Sequence, residues 1–83
     1  MTEATVDARA LIELVAKVLV DAPSEVLVEQ FEEEGETVIE LTVAESDMGK
    51  VIGKSGRTAR ALRTLLGSVG VKQQKRYELE ILE

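Results

Sequence analysis

Gly49-Lys50-Val51-Ile52-Gly53-Lys54-Ser55-Gly56-Arg57 is the stretch on which the reading of this chain turns. Its two glycines three residues apart, Gly53 and Gly56, permit a tight turn with no Cβ at either corner. A sugar-phosphate backbone can then come close to the protein backbone. Before the turn, Ser46 or Asp47 is placed to cap a short helix over Met48 to Ile52. After it, a longer helix starts at Arg57, runs to about Leu66 and ends near Gly67 or Gly70. The start of that helix aims unpaired N–H groups and the positive end of its dipole at the turn. Lys54 and Arg57 add full positive charges. Such an arrangement suits phosphate and carries little information about bases.

The second helix is two-sided. At about 100° per residue, Leu62, Leu65, Leu66 and Val69 cluster in one arc, and Arg57, Arg60 and Arg63 fall in another. The leucines anchor the helix while the arginines flank the loop mouth. The charge of the whole chain is −6, which by itself points away from nucleic acid. That average hides a segregation. Residues 1–47 hold thirteen acidic and two basic side chains. Residues 48–77 hold eight basic ones (Lys50, Lys54, Arg57, Arg60, Arg63, Lys72, Lys75 and Arg76) and no acid. A positive window inside an acidic protein makes a concentrated surface.

Working outward, the 83 residues suffice for a single domain, 1–83, with one core. A chain of this size buries only about 60–65% of the surface its unfolded form exposes, so pairing with another chain would help it. A first helix, capped by Thr5 or Thr2, runs to about Val20, with Leu11, Leu14, Val15, Val18 and Leu19 at helical spacing and Glu13 and Lys17 paired opposite. Ile12, Ala16 and Val20 widen its apolar side, which hints at a second contact surface. Pro23 stops it. Strands follow over Glu25 to Glu32 and Thr37 to Ala44, joined by a hairpin with Gly35 at positive φ. A polar segment from Val71 to Arg76 leads to a last strand, Tyr77 to Leu82. The order α-β-β-α-α-β predicts an α+β, two-layer fold: a three-stranded sheet with helices on one face. Glu40, Glu78 and Glu80 lie on the uncovered face, which phosphates should avoid.

Taken with that order, the run of residues 48–66 resembles the KH signature, in which a V-I-G helix end precedes a GxxG loop. The order is similar to the type II, prokaryotic, KH arrangement. In length and tail the chain resembles the small stand-alone bacterial KH proteins of the KhpA family. The resemblance implies binding of single-stranded RNA, with the loop clamping the backbone of about four nucleotides. The implied contacts are Lys50, Val51, Ile52, Gly53, Lys54, Ser55, Gly56, Arg57, Arg60 and Arg63. Val51 and Ile52, with second-strand residues such as Ile39 or Leu41, would floor the groove for the bases. It further implies an RNA chaperone in the cytoplasm, paired with a KhpB-like KH protein or with itself, and a part in cell shape and peptidoglycan homeostasis.

Other readings lack their parts. Without cysteine or histidine there is no disulfide, no thiol nucleophile and no ordinary zinc site, and no metal or other cofactor is expected. Gly49 to Ser55 falls one residue short of the GxxxxGK[ST] loop of nucleotide hydrolases, which also follows a strand rather than a helix. Reading bases on a sheet surface takes stacked aromatics, and Phe31 and Tyr77 are the only two here. Glu32, Glu33 and Glu34 crowd a hairpin tip, where carboxylates are solvated charge rather than acid–base catalysts; an enzyme is not expected, nor a small-molecule substrate. No basic start precedes the apolar stretch, and Ala10 to Val20 is too short to span a bilayer. The remaining alternative is a protein-interaction module that works through the broad apolar helix and binds little RNA.

Overall fold

The computed structural model describes residues 6–82. Helix α1 spans Ala8–Leu19 and is capped by Asp7, whose Oδ1 accepts the N–H of Ala10 at 3.1 Å. Thr2 and Thr5, the expected caps, lie outside the described residues. The helix seats Ala8, Ile12 and Ala16 in the core, with Val20 just beyond its end. This corrects the expected apolar stripe. Leu11 and Val15 pack at the core margin, whereas Leu14 and Val18 are 62% and 76% exposed. Two adjacent arcs of α1 are apolar, and the arc with alanines lets the helix come closest to the sheet. The polar stripe is as expected and wider, since Glu13 bridges both Arg9 and Lys17 at 3.2 Å. The hydrogen bond and charge of Lys17 hold the Glu13 carboxyl below its usual range.

Pro23–Glu25 forms a 3-10 turn closed by Val26 N–H donating to the Pro23 carbonyl. Strand β1 therefore spans Leu27–Glu33 and starts two residues later than expected. Glu34 and Gly35 both take positive φ, 50° and 82°, the tight hairpin geometry that matches strand twist. Strand β2, Glu36–Thr42, runs antiparallel to β1 and parallel to strand β3, Tyr77–Leu82, so β2 is central and the sheet is mixed. Its inner face carries Val28, Ile39, Leu41 and Leu79 into the core, together with Val51, Leu62, Leu66 and Val69 from the helices after β2. These are helix α2, Met48–Ile52, and helix α3, Arg57–Gln73.

Helix α3 is seven residues longer than its sequence suggests, and Gly67 and Gly70 lie inside it. Gly70 stops nothing; it makes room. The chain passes Gln74, at φ 57°, and folds back so that the Lys75 N–H donates to the Gly70 carbonyl at 2.9 Å. A Cβ on Gly70 would stand 2.5 Å from the Lys75 carbonyl oxygen. Gln73 secures the end, accepting the Tyr77 hydroxyl at 2.7 Å and donating to the Val6 carbonyl at 2.8 Å.

The two α3 glycines should therefore respond oppositely to the same change. Gly70→Ala is expected to cost about 1–3 kcal/mol through overpacking. Gly67→Ala, whose Cβ meets nothing within 4 Å, is expected to add about 0.5–1 kcal/mol. Urea midpoints of the two variants check both signs.

Candidate nucleic-acid interface

The GxxG loop is built from three residues at positive φ: Gly53 at 77°, Ser55 at 57° and Gly56 at 74°. The glycines are needed for different reasons. At Gly53 a Cβ would collide with the Thr58 side chain and lie 2.8 Å from the Thr58 nitrogen. At Gly56 the space is open, and only the left-handed backbone asks for glycine. Gly53 N–H closes α2 on the Gly49 carbonyl at 2.9 Å, and Gly56 N–H donates to the Gly53 carbonyl at 3.1 Å. Arg60 reaches back over the turn, its Nη2 donating to the Ser55 carbonyl at 3.3 Å. The Lys54 and Ser55 side chains are left exposed at the start of α3.

Arg57, Arg60 and Arg63 are exposed on one side of α3, and none forms an ion pair among the described residues. Arg63 donates to the Leu79 carbonyl at 3.3 Å and so bridges α3 to β3. Beside these cations runs an open groove lined by Ile52, Gly56, Ala59, Arg60, Arg63 and Ile81. A second open depression shares Arg63 and Ile81 with it and follows β3 past Leu66 and Tyr77. Strand β3 pairs only with β2, and the Arg76 and Leu82 carbonyls point toward β2. The alternation leaves the backbone polar groups of Leu79 and Ile81 on the free edge, beside the groove.

Four expected contacts stand differently in the structure. Val51 is fully buried, as are Ile39 and Leu41, so none of them can floor a groove. The inner face of central strand β2 is covered by the helices; the accessible strand is β3, through Ile81, and the accessible apolar residue of α2 is Ile52, 37% exposed. Lys50 is engaged elsewhere: its Nζ lies 3.2 Å from Asp21 Oδ2 and 3.7 Å from Asp47 Oδ1. The hydrogen bond and charge of Asp21, with those of Asp47, hold the Lys50 ammonium above its usual pKa.

Asp47 is the residue that sequence reasoning missed. It precedes α2 but makes no capping bond to it. Its carboxylate, in a residue 1% exposed, accepts the N–H groups of Asp21 at 3.2 Å and Ala22 at 3.0 Å. The connection after α1 is thereby tied to the start of α2, and α2 leads directly into the loop. Burial pushes the Asp47 pKa up, but the two N–H donors and Lys50 outweigh it, and the net shift is downward. A carboxyl with a lowered folded-state pKa contributes stability above its unfolded pKa and loses it as pH falls through the folded value. Asp47→Asn is therefore expected to unfold more readily at neutral pH and to lose part of the wild-type sensitivity to acid below about pH 4. Thermal melts of both proteins from neutral to strongly acidic pH check this.

The family described as KhpA/KhpB, KH domain matches residues 9–81 of the chain. The RNA-binding protein KhpA of Aquifex aeolicus (strain VF5) is 55% identical over 73 residues, which cover 88% of this chain and 92% of the relative. The RNA-binding protein KhpA of Treponema pallidum (strain Nichols) is 52% identical over 73 residues, 88% of this chain and 91% of the relative. The protein of the same name from Borreliella burgdorferi is 51% identical over 73 residues, 88% and 89% of the two chains. No solved structure gives a significant match. With the helix-strand-strand-helix-helix-strand order and matches over nearly its whole length, the chain belongs to the KhpA/KhpB KH-domain family.

Proposed function

We propose that this protein binds single-stranded RNA by clamping its sugar-phosphate backbone at Gly53-Lys54-Ser55-Gly56 and laying bases along the groove toward β3. The observation that carries the proposal is the union of an exposed, glycine-shaped turn with three arginines that have no acidic partner among the described residues. Lys54, Arg57 and the first N–H groups of α3 meet phosphate. Ile52 and Ile81 give bases an apolar surface, and the edge N–H groups of Leu79 and Ile81 offer hydrogen bonds. Relatives of about half-identical sequence are named RNA-binding proteins, which supports the reading. The action is binding without catalysis, as a cytoplasmic RNA chaperone that works with a KhpB-like KH chain or a second copy. Its effect on cell shape and peptidoglycan would follow from the RNAs it holds.

A pairing surface is favoured by α1, where Leu14 and Val18 stand in solvent on a chain with a small core. Sedimentation of the pure protein is expected to show self-association at high micromolar concentration, or else a KH-containing partner to be recovered from cells. A strictly monomeric protein with no partner recovered would remove pairing from the account.

Lys54→Asp with Ser55→Asp is expected to abolish RNA binding while leaving the melting temperature nearly unchanged. Asp tolerates the left-handed conformation found at Ser55 better than most residues do, and both side chains are exposed. A grip on about four nucleotides engages roughly three phosphates. With about −0.7 per phosphate on single strands, log K should fall with log salt at about −2, or about fifteen-fold between about 50 and 200 mM. Unchanged affinity in the double variant, or a salt slope near zero, would place function on the apolar helix instead.

A further inference from the structure

The outer face of the sheet has no helix over it, and its register gives it a definite pattern. Glu29, Glu40 and Glu80 stand directly opposite one another across β1, β2 and β3. On one side of this row lie Phe31 and Val38; on the other lie Leu27, Thr42 and Leu82. Leu27, Phe31 and Leu82 are 53%, 38% and 40% exposed. Glu33, Glu36 and Glu78 complete the face by the same alternation. Six carboxylates and three exposed apolar side chains therefore share it, and none of these carboxylates has an ion-pair partner among the described residues.

Like charges directly opposite on a sheet are unfavourable, and here they remain unrelieved. Burial, then the Glu80 carboxylate beside it, then Glu29 and Glu33, push the Glu40 carboxyl above its usual range. Thr37 turns Glu32 to the other side, its hydroxyl donating to both Glu32 oxygens at 3.0 and 3.2 Å. Arg76, just before β3, is the nearest cation along the chain and makes no ion pair with the face.

We propose that this sheet face is a docking surface for a basic amphipathic helix of a partner protein, with Lys or Arg on the Glu29–Glu40–Glu80 row and apolar residues on Phe31 to one side and Leu27 and Leu82 to the other. Charge complementarity selects the occupant. RNA is repelled by the same carboxylates, and a second copy meeting this face with its own equivalent would set glutamate against glutamate. The dimensions fit one helix. Strands about 4.8 Å apart make a strip about 10 Å across, the diameter of a helix, and the apolar rows lie about 13 Å apart, slightly over two turns. The partner helix thus needs apolar side chains about two turns apart with cations in the turn between. The proposal does not rest on RNA binding, since the face lies across the sheet from the helices that hold the loop. Partner and RNA bind without competing.

The probe is a labelled 16-residue helical peptide with leucines two turns apart and Lys and Arg between them, followed by fluorescence anisotropy at physiological salt. A peptide of the same composition in scrambled order is the control for bulk charge. The ordered peptide is expected to bind at least about tenfold tighter than the scrambled one. Phe31→Ser with Leu82→Ser, and separately Glu40→Gln with Glu80→Gln, should each weaken binding by about tenfold. The Gln pair relieves repulsion, so it folds at least as well as wild type. Glu25→Gln with Glu45→Gln changes the charge equally in 3-10 turns outside the strands and should alter binding less than about twofold. Equal binding of the scrambled peptide, equal loss in the Glu25/Glu45 control, or no binding of the ordered peptide would each overturn the proposal.

Discussion

Two backbone N–H groups at the end of the first helical connection, those of Asp21 and Ala22, terminate on one buried carboxylate, that of Asp47. Everything at the loop depends on that contact. Helix α2 is five residues long, too short to hold its own direction, and the loop begins where it ends. By joining the α1–β1 connection to the residue before α2, Asp47 fixes the loop's near end, while Val51 is inserted into the core behind it. The far end is fixed by α3 through Ala59, Leu62 and Leu66, and Arg60 ties the turn itself. A loop with three positive-φ residues would otherwise have many conformations. Here the Gly56 N–H on the Gly53 carbonyl and Arg60 on the Ser55 carbonyl brace it, with the Lys54 and Ser55 side chains outward.

The second organising feature is segregation of charge across the two layers. Basic side chains follow the loop and α3, and six glutamates stand on the far side of the sheet. A net charge of −6 is therefore compatible with a locally cationic surface, because the fields of the two sides are separated by the apolar core. Lys50 shows the limit of reading charge from sequence alone. It falls within the basic window, but Asp21 and Asp47 neutralise it.

Much of this was legible in the sequence where local chemistry decides. The short helix Met48–Ile52, the turn with its glycines, the tight hairpin at Gly35 and the last strand all follow from spacing and backbone preference. What misled is where tertiary contacts choose between locally equal options. Two apolar arcs of α1 are indistinguishable in sequence, and the sheet selects the one with Ala8, Ile12 and Ala16. Gly70 carries the signature of a helix end, yet it serves the close return of Lys75 inside a longer helix. Ile39 and Leu41 are apolar strand residues like Ile81, and only strand order shows that β2 is central and β3 is the accessible edge. The Asp47 contact joins residues more than twenty apart and leaves no local pattern.

In the proposed binding mode RNA lies between the GxxG loop and the free edge of β3. Amide chemical-shift mapping with an eight-nucleotide single-stranded RNA tests it most directly. The largest shifts are expected on residues 53–60 and on Leu79 and Ile81, with β1 unmoved. Shifts centred on α1 or on the outer sheet face, with the loop silent, would contradict it.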